Sequence, residues 1–300
     1  MPEIVDKTLY PFNGRYLDLG GVRMHYLDEG RGEPVVMVHG NPTWSFYYRN
    51  LVLALRDTHR CIVPDHIGCG LSDKPSDDSY DYTLQRRVDD LDKLIQTVVP
   101  EGRINLVVHD WGGMIGMTWA SRYPDRIARL AILNTAAFRL PTSKRFPWAL
   151  ALCRVPLFGA MMLRGFNAFS LAASFTCCRR HPMNRRLRHA YRAPYNSWSN
   201  RIAILRFVED IPLRPQDRAY NIVKQVEDGL DRFCRVPMLI GWGMRDFVFD
   251  SHFLDEWVRH FPDAEVHRYG DAGHYVLEDA AEELIPAIRD FLNRPWEGIG

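Results

Sequence analysis

The sequence predicts an α/β protein: a mostly parallel, doubly wound sheet carrying an inserted helical cap. Three observations lead there. Short β-rich runs alternate with helical periodicities along most of the chain, the pattern of a sheet covered by helices on both faces. The run PVVMVH at 34–39 is apolar without alternation, as a strand buried on both sides is. One long interval, about 140–215, has helical stretches and prolines but no strand.

The elements follow in order. Arg15–Leu19 and Val22–Asp28 read as a hairpin across Gly20-Gly21. After the buried strand Pro34–His39, Trp44–Arg56 has helical spacing and Arg60–Pro64 is a short strand. Thr83–Val98 is an amphipathic helix with Leu84, Val88, Leu91, Leu94, Ile95 and Val98 on one side. Ile104–His109 is a strand, Gly112–Arg122 a helix and Ile127–Leu133 a strand. Past the strandless interval come strand Val236–Gly241, helix Phe253–His260, strand Glu265–Tyr269 and a closing helix Glu282–Leu292. Residues 1–139 and 216–300 are thus expected to form the core domain, and 140–215 a cap over the C-terminal edge of the sheet.

Bulk composition narrows the function. With 300 residues, 46% of them hydrophobic, the chain can bury a large core, and its net charge of +1 gives no general attraction to nucleic acid or membrane. No stretch approaches the ~20 apolar residues of a transmembrane segment. The N-terminal MPEIVDKTLYPF has no apolar core of a secretory signal. The six cysteines show no C-x-x-C pair, and vicinal Cys177-Cys178 is no metal site. A cytoplasmic protein with reduced thiols is expected.

The cap is chemically unusual. No Asp or Glu occurs between Asp125 and Glu209, whereas 14 Lys and Arg fall between Arg129 and Arg206. The neutralising partner is the acidic core of the same chain, another subunit, an anionic lipid surface or a partner protein.

The chemistry centres on LVVHDWGGM at 106–114. Asp110 follows a buried strand and precedes a Gly-rich helix start, the setting of a nucleophile elbow. Gly112 is the small residue expected two positions later; Val108, two before, departs from glycine. The plainer alternative is that Asp110 only caps the helix. The turn His39-Gly40-Asn41-Pro42 stands where the second oxyanion-hole N–H arises, and His274 of Asp271-Ala-Gly-His274 stands where the base falls in the order nucleophile, acid, histidine. The acid should follow strand Val236–Gly241; Asp246 is preferred, since Asp250 could cap the next helix. The rival position after Ile132-Leu133 holds Asn134, which has no carboxylate. An aspartate, ionised above ~3.9, can attack saturated carbon without a base. His274 would then activate water against the resulting ester, and backbone N–H groups of Asn41 and Trp111 would hold the oxyanion. The Trp111 indole N–H and the Asn41 amide could also bind a leaving halide.

HGNPTWSF, PDHIGCGLSDKP, YDYTLQRRVDDLDKLI, VHDWGGMIG, NTAAF and AGHYVLED resemble the haloalkane dehalogenases of the α/β-hydrolase superfamily, over about 25–292. The likeness is strongest to subfamily III, which overlaps with β-lactone decarboxylases of bacterial olefin synthesis; FNAFS, APYNSW and EDIPL are similar to those. The resemblance implies Asp110 as nucleophile, His274 as base, Asp246 as triad acid, and Asn41 with Trp111 as the halide or oxyanion pair. It implies no cofactor and no metal, and Asn134 argues against the second dehalogenase subfamily. PDHIGCG is no phosphate loop. The first expectation is dehalogenation of an alkyl halide, releasing a halide ion. The alternative is decarboxylation of a β-lactone; epoxide hydrolysis would need Tyr191 and Tyr195 as proton donors. A catalytically inert ligand-binding relative is disfavoured because every triad position is filled. A homo-oligomer through the basic cap is expected, because subfamily III members tend to self-associate.

Overall fold

The computed structural model describes residues 6–295. The first five residues, on which part of the targeting argument and the start of the core domain rest, lie outside the described residues, as do 296–300.

Eight strands form one sheet: β1 (Arg15–Asp18), β2 (Arg23–Gly30), β3 (Glu33–Val38), β4 (His59–Pro64), β5 (Ile104–Asp110), β6 (Ile127–Thr135), β7 (Met238–Gly243) and β8 (Glu265–Tyr269). Their order is β1-β2-β4-β3-β5-β6-β7-β8. Only β1/β2 and β2/β4 are antiparallel, so the expected hairpin is the edge of an otherwise parallel sheet. Strands β5 and β6 are buried along their whole length. Successive side chains point to opposite faces. Val36, Val38, Leu106, Val108 and Ile132 enter one apolar core, Val35, Met37, Val107, Ala131 and Leu133 the other.

Helices cover both faces. Helix Leu84–Val98 starts where Thr83 Oγ1 accepts the Arg86 N–H, and buries Leu84, Val88, Leu91, Leu94 and Ile95. The stretch expected as one helix at 44–56 is a 3₁₀ turn, Ser45–Tyr48, followed by helix Arg49–Leu55. Strand β7 starts two residues later than expected, at Met238 after Pro237, and continues through Gly243.

The chain steps from β3 to β4 on one side, then from β4 to β5 on the other. The C-terminal ends of β3 and β5 therefore flank the point where the winding reverses, where such sheets open a crevice. Between β6 and β7 lie helices Trp148–Cys153, Ala168–Thr176, Arg185–Arg192 and Ile202–Glu209, joined by shorter turns. They roof this crevice.

The cap is fastened at identifiable points. The buried Asp279 carboxylate accepts backbone N–H groups from Arg179 (2.5 Å), Arg180 (3.1 Å) and His181 (2.8 Å) on the cap, and from Gly273 (2.7 Å) on the core. Tyr275 N–H donates to the Cys177 carbonyl at 2.9 Å. Seven of the 14 basic residues pair with described carboxylates: Arg129, Arg139, Lys144, Arg154, Arg180, Arg186 and Arg206. The acidic partners come from both flanks of the cap, so part of its charge is matched within the chain.

Candidate active site

Asp110 closes β5 with φ 53° and ψ −129°, a left-handed conformation that side chains rarely adopt. Such a residue persists only where its surroundings hold it. Here Thr135 Oγ1 donates to the Asp110 carbonyl, and the Asn41 N–H donates to Asp110 Oδ1 at 2.5 Å. The turn admits no bulk. A Cβ on Gly112 would lie 1.9 Å from the Val38 carbonyl oxygen, and one on Gly40 would lie 1.9 Å from Asp110 Oδ1. Val108 fits where glycine was expected because Gly116, one turn into helix Trp111–Arg122, leaves space: an added Cβ there would come within 2.7 Å of Val108 Cγ1. The Asp110 side chain makes no capping hydrogen bond to that helix, so the simple cap explanation is set aside.

His274 lies between two carboxylates. Its Nδ1 is 2.6 Å from Asp246 Oδ2, and its Nε2 is 3.5 Å from Asp110 Oδ2. All three residues are buried. Burial alone would lower the imidazole pKa, but the negative charge of Asp246 and the neighbouring Asp110 carboxylate more than reverse that and push it up to about 10. The ring therefore carries a proton on both nitrogens at neutral pH. Its neighbour His109 behaves oppositely. Burial and the adjacent His274 drive the His109 pKa well below the usual value, and as a neutral ring it donates from Nε2 to the His274 carbonyl at 2.9 Å.

Asp246 is oriented by residues the sequence argument passed over. Its Oδ1 accepts the Val248 N–H at 2.8 Å, and its Oδ2 accepts Asn134 Nδ2 at 3.0 Å. Asn134 also bonds both the N–H and the carbonyl of Gly243, at 2.8 and 3.0 Å. Set aside because it has no carboxylate, it works as a clamp on the residue that has one. Its signal was its place at the end of a buried strand, where an unpaired amide would be costly. Asp250 is not near the histidine: it caps helix Ser251–His260 and pairs with Lys144.

Above these groups lies a cavity of about 440 Å³. Asp110, His274, Asn41 and Trp111 line it, and its walls are apolar, including Phe138, Phe146, Leu150, Phe169 and Val208. Asp110 and His274 are the only ionisable side chains among the described residues of the lining that lie outside the cysteines. The Trp111 indole packs on Phe207 and lines the cavity, and among the described residues no acceptor for its N–H is found. Asn41 Nδ2 spends one hydrogen on the Ile204 carbonyl of the cap at 3.2 Å, which leaves its second. Tyr191 and Tyr195 do not reach the cavity: Tyr195 donates to the Thr43 carbonyl at 3.1 Å and Tyr191 to Glu278. The proton donors that epoxide opening would need are thus engaged elsewhere.

A family model described as alpha/beta hydrolase fold matches residues 33–281. The chain is similar to a cis-3-alkyl-4-alkyloxetan-2-one decarboxylase of Shewanella oneidensis, with 59% identity over 285 residues, covering 95% of this chain and 90% of the relative. It is also similar to haloalkane dehalogenase 2 of Mycobacterium tuberculosis, at 31% identity over 287 residues, covering 94% and 96%. Among solved structures it resembles the haloalkane dehalogenase DbeA of Bradyrhizobium elkani, with a TM-score of 0.85, 25% identity, and coverage of 94% and 97%. Of these two enzyme relatives, the decarboxylase is the nearer likeness.

Proposed function

The chain belongs to the alpha/beta hydrolase fold family, and from that premise we propose that it is a β-lactone decarboxylase, converting a cis-3-alkyl-4-alkyloxetan-2-one into an olefin and CO₂. The observation that carries this reading is the 59% identity, across nearly the whole chain, to an enzyme of that name.

The site chemistry supports it. An Asp110 oxygen attacks ring carbon C4, and the C4–O bond breaks onto oxygen, leaving a carboxylate on C3. The bond from C3 to that carboxylate then breaks. Its electron pair forms the C3–C4 double bond, CO₂ leaves, and the Asp110–C4 bond releases its electrons back to Asp110. Atoms balance with no water consumed. Inversion at C4 followed by anti elimination is a net syn loss, so a cis lactone gives a cis olefin. A His274 whose pKa is raised by its two carboxylate neighbours suits this sequence, which needs a counter-charge beside the carboxylates rather than a base. The free donors of Trp111 and Asn41 face the oxygen released from C4, and the apolar walls suit two alkyl chains.

Dehalogenation is a second reading, favoured by the unspent Trp111 N–H beside Asp110 and the 31% identity to a dehalogenase. There His274 must lose its proton. Alkylation of Asp110 removes one of the two charges that raise its pKa, so it would become a base only after the first step. Under either reading we assign the core to 1–139 and 216–300, the roof to 140–215, and the protein to the cytoplasm. The described residues include no helix long and apolar enough to cross a membrane.

The deciding experiment supplies purified protein with a cis-dialkyl β-lactone in ¹⁸O-water, and in parallel with a bromoalkane. The lactone should yield cis olefin and CO₂, with no ¹⁸O-labelled hydroxy acid, much faster than bromide appears. Bromide release that outpaces olefin formation overturns the decarboxylase reading.

A further inference from the structure

The mouth of the cavity opens on an apolar, acid-free face. Trp148, Leu152 and Phe158 both line the cavity and stand exposed at the surface. Around them the cap presents further large apolar side chains to solvent, including Leu157 (86% exposed), Phe166 (67%) and Trp198 (50%). Large exposed apolar patches are uncommon unless something covers them. Leu157, the most exposed, sits at φ 63°, in backbone that a leucine rarely adopts, so the fold bears a cost to present it.

Charge says what the cover is. No carboxylate occurs from 126 to 208. Seven cap arginines, including Arg145, Arg164, Arg185 and Arg188, form no ion pair with any described carboxylate. Two of these lie over exposed aromatic rings: Arg164 is 4.6 Å from the Trp198 ring and Arg188 is 4.4 Å from Phe175. Aromatic and arginine side chains side by side are the composition of a membrane-interface surface. A second copy of the chain fits poorly. A twofold contact brings a patch against itself, and this patch would place cations on cations.

We propose that the cap face around residues 145–198 docks on an anionic lipid surface, with the cavity mouth turned toward the lipid. The occupant is the bilayer surface rather than a single lipid. Apolar substrate then enters, and apolar product leaves, without crossing water. This inference stands apart from the reaction assigned above, because binding is measured without turnover.

The test is co-sedimentation of the full chain with phosphatidylcholine vesicles, with and without phosphatidylglycerol. Binding should need phosphatidylglycerol and weaken as salt rises, since surface charge attraction is screened beyond ~8 Å at physiological ionic strength. Arg145→Gln should weaken it about fivefold, the effect of roughly 1 kcal/mol per interfacial cation. The double variant Leu157→Glu, Phe166→Glu should lose it at least ~tenfold by placing anions at the interface, while keeping wild-type melting behaviour and turnover of a short, water-soluble substrate. Neither residue lines the cavity. Brominated phosphatidylglycerol should quench wild-type tryptophan fluorescence, and less so in Trp198→Phe, which covers the case of a misfolded double variant. No sedimentation with phosphatidylglycerol vesicles overturns the proposal, as does equal binding by the double variant when folded. A salt-sensitive oligomer in light scattering, with the patch shielded from quencher, overturns it in favour of self-association.

Discussion

Asp110 is held in its strained turn by neighbours that have no room to change. Gly40→Ala should therefore cut turnover at least ~100-fold, because its methyl would displace the carboxylate, and a displaced reacting group is worth about that much. Wild-type rates, measured with substrate binding intact, would show that the turn relaxes. Asp110→Asn should abolish turnover, since an amide is a poor nucleophile; mass spectrometry must confirm that it has not deamidated. Trp111→Phe should slow bond cleavage about 10- to 150-fold, the loss of one charge-assisted donor worth roughly 1.5–3 kcal/mol in the transition state. His274 adds a pH signature. Its folded pKa, about 10, lies above the unfolded value, so it stabilises the fold fully below about 6.5 and loses that contribution as pH rises toward 10. Urea titrations should show wild type losing stability across that window more steeply than His274→Gln. Parallel pH profiles would mean the histidine is not held as a cation.

At the scale of elements, tight joints link strand to helix and helix to cap. Gly116→Ala should destabilise the protein by roughly 1–3 kcal/mol, since overpacking against Val108 has nowhere to go; Val108→Ala in the same chain should restore most of it. A sum of two independent losses would deny the coupling. Asp210, at the end of the last cap helix, accepts the Leu84 N–H at 2.7 Å and so starts the core helix Leu84–Val98. Its burial raises its pKa to about 6. The pH slope has the same sign as that of His274, since both folded pKa values are raised, but here it is the charged form that the folded state penalises, so this group's cost disappears as pH falls from 6 toward 4. Asp210→Asn keeps the acceptor without the charge, and should stabilise by roughly 1–3 kcal/mol at pH 7 and little at pH 4. Equal effects at both pH values would reject burial as the cause.

Taken whole, the molecule was legible wherever local pattern and global role coincide. The continuous apolar runs of β3, β5 and β6, the amphipathic helix at 84–98 and the turn at Asp110 each announced themselves, because burial on two faces and a close backbone approach both restrict residue type. The chain order nucleophile, acid, histidine also pointed to Asp246 and His274, whose side chains the fold brings to 2.6 Å of one another. Other features were hidden because they depend on long-range proximity. Nothing local ties Asn134 to Asp246, 112 positions away, or shows that Gly116 makes room for Val108. The choice between lactone and halide was hidden too, since one carboxylate can attack either.

The Asp279 carboxylate has a further consequence. It gathers N–H groups from three consecutive cap residues and from Gly273, the residue just before His274. The hinge of the roof and the mount of the imidazole are therefore one joint. Lifting this part of the cap pulls on the loop that sets His274 between its two carboxylates, so this corner works as an interlock, armed only when shut. Traffic through the mouth would use the far side of the roof, around Trp148 and Phe158, which is held by side-chain ion pairs such as Lys144–Asp250 and Arg154–Asp217 rather than by the mount of the imidazole. Asp279→Ala should accordingly lower kcat far more than it raises KM, although it touches no substrate.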